Sequence, residues 1–317
     1  MKAALLILSL FLPCLAAAAL PAALASKPVS ARIPDRVAAT DLPDIEPLFA
    51  SPTRLDRIGR IVAPVFINGQ GPFRLVVDTG ASHTTISPAL AATLGLLPQE
   101  GSTVVLNGVT GTEVVPAVTI DRLQAGDLIV EGSRVPVIST DIMAGADGIL
   151  GVAGLKRERI TVDFRRDRIS ISRSRSSAGT ARMFRIPAIR LEGGLLMVVA
   201  HVGGVRVRAI IDTGAERSLG NIALRTALRN RNRLGAPRMT TVFGTTPAVA
   251  QGELNSVPPV ILGGATVSDM DLVFGEFHVF KAWDLDAQPA MLIGMDVLGG
   301  VQQLIIDFYR REVYVLS

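Results

Sequence analysis

Cysteine is almost missing: the 317-residue chain has one, Cys14. That excludes a disulfide-stapled scaffold and zinc sites built from several thiolates. Histidine is nearly as scarce. His83, His201 and His278 stand far apart with no His-Glu-x-x-His pattern, so a metal hydrolase is disfavoured and no metal or cofactor is expected. Aromatic residues make up 4% of the chain, and Trp283, Tyr309 and Tyr314 are its only Trp and Tyr residues. Single-stranded nucleic-acid grooves rely on such rings. Lysine is confined to Lys2, Lys27, Lys156 and Lys281, so the formal charge of +4 rests on scattered arginines. A nucleic-acid ligand needs a concentrated basic face and is not expected.

What the chain does have is apolar and small residues: 49% hydrophobic, with 30 Gly and 19 Pro. This is enough to build the core of one large domain or two moderate ones. Lys2 precedes an apolar run from Ala3 to Leu20, and Ala23-Leu24-Ala25 supplies a small-x-small pattern. Residues 1–25 therefore read as a secretory signal peptide cleaved after Ala25, with a retained membrane anchor as the alternative. Pro13 and Pro21 interrupt the run, which favours cleavage. No later stretch approaches the ~20 apolar residues of a membrane span. The expected product is an exported, periplasmic protein with no stable membrane insertion once the signal is removed.

Residues 26–57 hold Pro28, Pro34, Pro43, Pro47 and Pro52 without a sustained period, and read as an extended tether or pro-segment. From Ile58 onward, short β-branched runs are punctuated by Gly. Arg60 to Ile67, Phe73 to Val77, Ser102 to Leu106 and Ile160 to Phe164 are strand signals of an all-β protein. Helices are expected only over Pro88 to Leu97 and Asn221 to Arg229. The polar stretch Ser172 to Gly179 marks a linker.

An internal repeat organises the rest. Phe73-Arg-Leu-Val-Val-Asp-Thr-Gly-Ala81 matches Val207-Arg-Ala-Ile-Ile-Asp-Thr-Gly-Ala215. Gly69 and Gly203 stand at equal distances before the two aspartates. Ile149-Leu150-Gly151 matches Leu292-Ile293-Gly294, and Val162-Asp163-Phe164 matches Ile306-Asp307-Phe308. The chain is one unit duplicated, as residues 58–172 and 185–317 joined by 173–184. Each half has the size of a small β-domain.

A single Asp-Thr-Gly after a buried strand could be an ordinary strand end with Asp opening a turn. A given tripeptide has a probability on the order of 10⁻⁴ per position, so two copies in equivalent places of a duplicated unit are not chance. Duplication suggests a two-fold axis bringing Asp78 and Asp212 together. Carboxylates in contact share a proton and split into one acid and one base. Such a pair can polarise a carbonyl while taking a proton from water.

With these motifs the sequence resembles the aspartic proteases, in the retropepsin-like branch and the exported bacterial form with two lobes in one chain. The resemblance covers roughly Ile58 to Ser317. It implies two tandem β-barrel lobes related by pseudo-two-fold symmetry, with the active site between them, and a monomer that hydrolyses peptide bonds of envelope or periplasmic proteins. Asp78 and Asp212 would activate the lytic water, Thr79 and Thr213 would lock the active-site loops, and Gly80 and Gly214 would permit close approach. Ile149-Leu150-Gly151 and Leu292-Ile293-Gly294 would brace those loops. Asp163 and Asp307 resemble the family's final strand, as turn-forming or solvated residues. Substrate is expected to meet Ala81, Ser82, Ala215, Glu216, Asn107, Gly108, Phe243 and Gly244. The last four lie in two hairpin signals, 105–111 and 242–246, each a flap or an ordinary surface hairpin. Acid-active two-lobed pepsins commonly carry Ser or Thr where this chain has Ala81 and Ala215.

Two other readings are weaker. A duplicated barrel that binds peptides without cutting them would tolerate loss of an aspartate, yet both motifs are intact. A glycosidase also uses paired carboxylates but presents aromatic platforms that this composition lacks.

Overall fold

The computed structural model describes residues 60–139, 143 and 145–317. The proposed signal peptide and all of segment 26–57, with its continuation to residue 59, lie outside the described residues. The described chain forms two sheets, of seven and fourteen strands. The all-β expectation and the duplication both hold.

Each half is built around the same hairpin. In the first, Val62–Ile67 runs antiparallel to Gln70–Val77, with Val62 opposite Val76. In the second, Leu196–Val202 runs antiparallel to Val205–Ile211, with Met197 opposite Ile210. The turns between them use Asn68 and Gly69, and Gly203 and Gly204, all at positive φ. The repeated glycine is therefore placed where a left-handed backbone is needed.

The second strand of each hairpin then gains a parallel neighbour, Gly148–Leu150 in the first half and Ala290–Ile293 in the second. These strands have neighbours on both sides and are buried on both faces, which explains their unbroken apolar runs.

The halves are sewn together by their last hairpins. Glu158–Asp163 and Arg168–Arg173 leave the first sheet and join the larger one. There Glu158–Asp163 pairs antiparallel with Gln303–Asp307, with Thr161 opposite Ile305. Asp163 and Asp307 close equivalent strands one hairpin before the final strand. Each caps a turn, to the Arg166 and Arg310 amides. Asp307 departs from the solvated alternative: it is fully buried and accepts from Ser174 Oγ at 2.6 Å. Residues 174–183 are tied down further by Ser177 Oγ against Tyr314 Oη, 3.2 Å.

Both expected helices are present and shorter than or equal to their sequence limits. Pro88–Thr93 is capped by Ser87 and stops before Gly95, whose φ of 67° is left-handed. Ile222–Arg229 is capped by Asn221, which also donates to the Leu285 and Gln288 carbonyls. The helices His278–Ala282 and Met295–Leu298 were not expected, being too short to show a helical period. One apolar cluster runs through both halves.

Candidate active site

Asp78 and Asp212 follow the last residues of equivalent strands. Each amide is held from the bracing strand, Asp78 N–H by the Leu150 carbonyl at 3.0 Å and Asp212 N–H by the Ile293 carbonyl at 2.9 Å. The next turn is held by the same brace. Val152 N–H donates to the Ala81 carbonyl, 2.9 Å, and Met295 N–H to the Ala215 carbonyl, 2.8 Å. A Cβ at Gly151 would come within 2.5 Å of the His83 backbone, and one at Gly294 within 2.7 Å of Arg217. Both apolar-apolar-Gly motifs therefore end in glycine because the loop they support lies in van der Waals contact.

Across the axis the two loops interlock through their threonines. Thr79 N–H donates to Thr213 Oγ1 and Thr213 N–H to Thr79 Oγ1, both at 3.2 Å. The hydroxyls in turn donate to the opposite strand, Thr79 to the Ile211 carbonyl and Thr213 to the Val77 carbonyl, each at 2.6 Å. Both side chains are buried. The amide and hydroxyl of each threonine are used, as a buried network requires.

The carboxyl groups meet above this clasp, each seated against the glycine of the opposite loop. Gly80 N–H donates to Asp78 Oδ1 at 2.8 Å; Gly214 and Ala215 N–H donate to Asp212 Oδ1 at 2.9 and 3.0 Å. The glycines are mandatory for steric reasons. A Cβ on Gly80 would lie 2.4 Å from Asp212 Cγ, and one on Gly214 would lie 2.2 Å from Asp78 Cγ.

Burial raises the Asp78 carboxyl above its usual range, opposed by its bond to Asp212, the Gly80 and Ala81 amides and the charge of Arg60. Asp212 is raised well above it, by burial first and then by the charge of Asp78. This is the splitting that two adjacent carboxyls impose on one another.

The matched stretches, residues 63–153 and 198–297, each carry one Asp-Thr-Gly loop and its brace, and both correspond to the aspartyl protease family. The chain belongs to the aspartyl protease family. It is also similar to the crystal structure of an aspartic proteinase from Irpex lacteus, at 13% identity and a TM-score of 0.49, over 82% of this chain and 95% of that one. No curated protein sequence matches it.

The two hairpins singled out in the sequence are partners. Thr103–Asn107 pairs with the start of Thr112–Ala125, and Arg238–Phe243 with Val249–Val257. Their tips touch: Thr110 Oγ1 lies 3.0 Å from Thr246 Oγ1. A Cβ on Gly108 would be 2.8 Å from Thr245 Oγ1, and one on Gly244 2.7 Å from Thr110 Oγ1. In the first hairpin Val104, Leu106 and Val115 pack with Ala81 and Ile149, so its inner face lies against the active-site loop.

The remaining expected contacts divide. Asn107 does not face the dyad region freely; its Oδ1 accepts from Thr112 Oγ1 and lies 3.2 Å from His278 Nε2. Phe243 is 67% exposed on the face opposite Val242 and Ala250. Glu216 is exposed, and its carbonyl accepts from Asp296 N–H. Ser82 lies against Gly193, where an added Cβ would be 2.3 Å from Ser82 Oγ.

Sequence reasoning missed four supporting residues. Asp296 accepts from Ser218 Oγ at 2.6 Å and Ser218 N–H at 2.9 Å, and Ser218 Oγ accepts from Gly294 N–H. Thr84 does the last job in the first half, accepting from Gly151 N–H; comparing the halves at the Asp-Thr-Gly spacing would have found this pair. His278 had no sequence signal, because its partners are in the other half. Among the described residues no three metal-ligating side chains gather.

Proposed function

We propose that the chain is an aspartic endopeptidase of exported proteins, cleaving peptide bonds with a water activated between Asp78 and Asp212. The observation that carries this reading is the seating of each carboxyl against the opposite loop's glycine, above the threonine clasp. One carboxylate takes a proton from water as its oxygen attacks the peptide carbonyl, while the other carboxyl gives its proton to the carbonyl oxygen. Collapse of the resulting diol breaks the C–N bond. The nitrogen receives the proton taken from water, a diol hydroxyl returns a proton to the second carboxylate, and the dyad regains its single proton. The touching hairpin tips support an extended polypeptide as substrate, threaded beneath them. The N-terminal apolar run and its small-x-small site support export to the periplasm. A peptide-binding module without cleavage would have no use for a dyad kept in this geometry.

Replacing Asp78→Asn or Asp212→Asn should abolish cleavage of a fluorescein-labelled unfolded protein while thermal unfolding stays cooperative. Substantial activity in either variant overturns the shared dyad. N-terminal proteomics of the cell envelope, with and without intact Asp78, would then identify the substrates.

A further inference from the structure

The pseudo-two-fold symmetry holds at the aspartates, threonines, glycines and braces, and breaks one residue away. In the first half Val62 lies opposite Val76, and Val77 N–H donates to the Ile61 carbonyl at 2.8 Å. One step further along that ladder, Arg60 faces Asp78. In the second half Met197 lies opposite Ile210, so the same step places Leu195 opposite Asp212. Directly opposed residues of an antiparallel pair project from the same face. Arg60 is 2% exposed and Leu195 is fully buried. A guanidinium enclosed to that extent is costly unless its charge is answered nearby.

We propose that Arg60 is a positioning residue that breaks the symmetry of the dyad: its charge selects Asp78 as the ionised partner, which takes the proton from water, and leaves the shared proton on Asp212. The charged and titratable groups acting on Asp78 are Asp212 across the axis and Arg60, two residues before the adjoining strand; the one acting on Asp212 is Asp78. Backbone donors do not separate the two carboxyls, since Gly80 and Ala81 act on Asp78 and Gly214 and Ala215 on Asp212. Arg60 is the charge that acts on Asp78 and has no counterpart acting on Asp212. The catalytic consequence rests on the peptidase reading, whereas the location of the charge does not.

The test is a ¹³C-carboxyl NMR titration of the protein carrying Asp212→Asn, which leaves Asp78 to titrate alone, and of the protein carrying Asp78→Asn, which leaves Asp212. Asp78 is expected to ionise at the lower pH. Adding Arg60→Met should raise the Asp78 midpoint by about one pH unit, a tenfold change, with a smaller effect on Asp212, and Arg60→Lys should restore it. Equal or reversed midpoints in the two proteins that keep Arg60 overturn the proposal, and so does an Asp78 midpoint that ignores Arg60→Met. If Arg60→Met does not fold, the first comparison decides alone. Cleavage of a quenched-fluorescence peptide library by the unmutated protein is measured in parallel. The expected titration order without any cleavage removes the peptidase reading and leaves Arg60 in its role.

Discussion

An alanine follows each Asp-Thr-Gly, at Ala81 and Ala215. Ala215 contributes only its backbone N–H to Asp212, and the Ala81 methyl packs with Ile149 and Leu106. A hydroxyl at either place could donate a further bond to an ionised carboxylate and so lower its pKa. Activity requires one carboxyl protonated and one ionised, and the useful window lies between the two apparent pKa values of the pair. Removing donors moves that window upward. The double variant Ala81→Ser, Ala215→Ser should therefore shift the pH profile of kcat/KM on one peptide to lower pH. Coinciding profiles, or limbs that move upward, would dismiss this role for the alanines.

The active-site loops and hairpins depend on partners in the opposite half. Each threonine hydroxyl both accepts an amide from the other loop and donates to the strand beneath it. Valine has the same shape without the hydroxyl. Thr79→Val or Thr213→Val forfeits two bonds of about 1 kcal/mol each and strands a buried carbonyl and amide, for a total of roughly 2–4 kcal/mol. Urea unfolding and kcat/KM should fall together in either variant; unaltered stability would mean that the clasp contributes nothing. The hairpin tips are held unequally. The first is fastened to the helix His278–Ala282, by His278 N–H to the Val109 carbonyl at 2.9 Å and by Nε2 beside Thr112 and Asn107. The second has the Thr110–Thr246 contact as its bond across the tips.

For the molecule as a whole, a buried carboxyl pair makes stability depend on pH. Asp212 holds its proton more tightly when folded than when unfolded, because burial and the Asp78 charge both oppose ionisation. The stability this confers is complete below the ordinary aspartate pKa and is lost as pH rises through the raised folded value. Asparagine at 212 can still accept the Gly214 and Ala215 amides but cannot ionise. The Tm of Asp212→Asn should accordingly exceed that of the wild type near neutral pH, and the two should converge in acid. A constant Tm difference across pH would show that Asp212 titrates alike in the folded and unfolded chain. The strand pairing between Glu158–Asp163 and Gln303–Asp307 makes the halves a common platform for this pair.

The β-branched runs and the duplicated Asp-Thr-Gly and apolar-apolar-Gly motifs determined the all-β class, the two-fold plan and the paired aspartates, and the family resemblance those motifs carry implied the clasping threonines. They could do so because each motif is local: an apolar strand, a tight turn and a glycine where no Cβ fits. The same locality hid the rest. That the hairpins 103–125 and 238–257 meet tip to tip, that His278 fastens one of them, and that Asp307 is buried under Ser174 are contacts between residues more than a hundred positions apart. Arg60 is the sharpest case. In the sequence it is one arginine among many before a strand, and only the antiparallel register sets it opposite Asp78 while setting Leu195 opposite Asp212. Register is decided by which apolar faces pack together in three dimensions, and no local pattern around Arg60 carries that information.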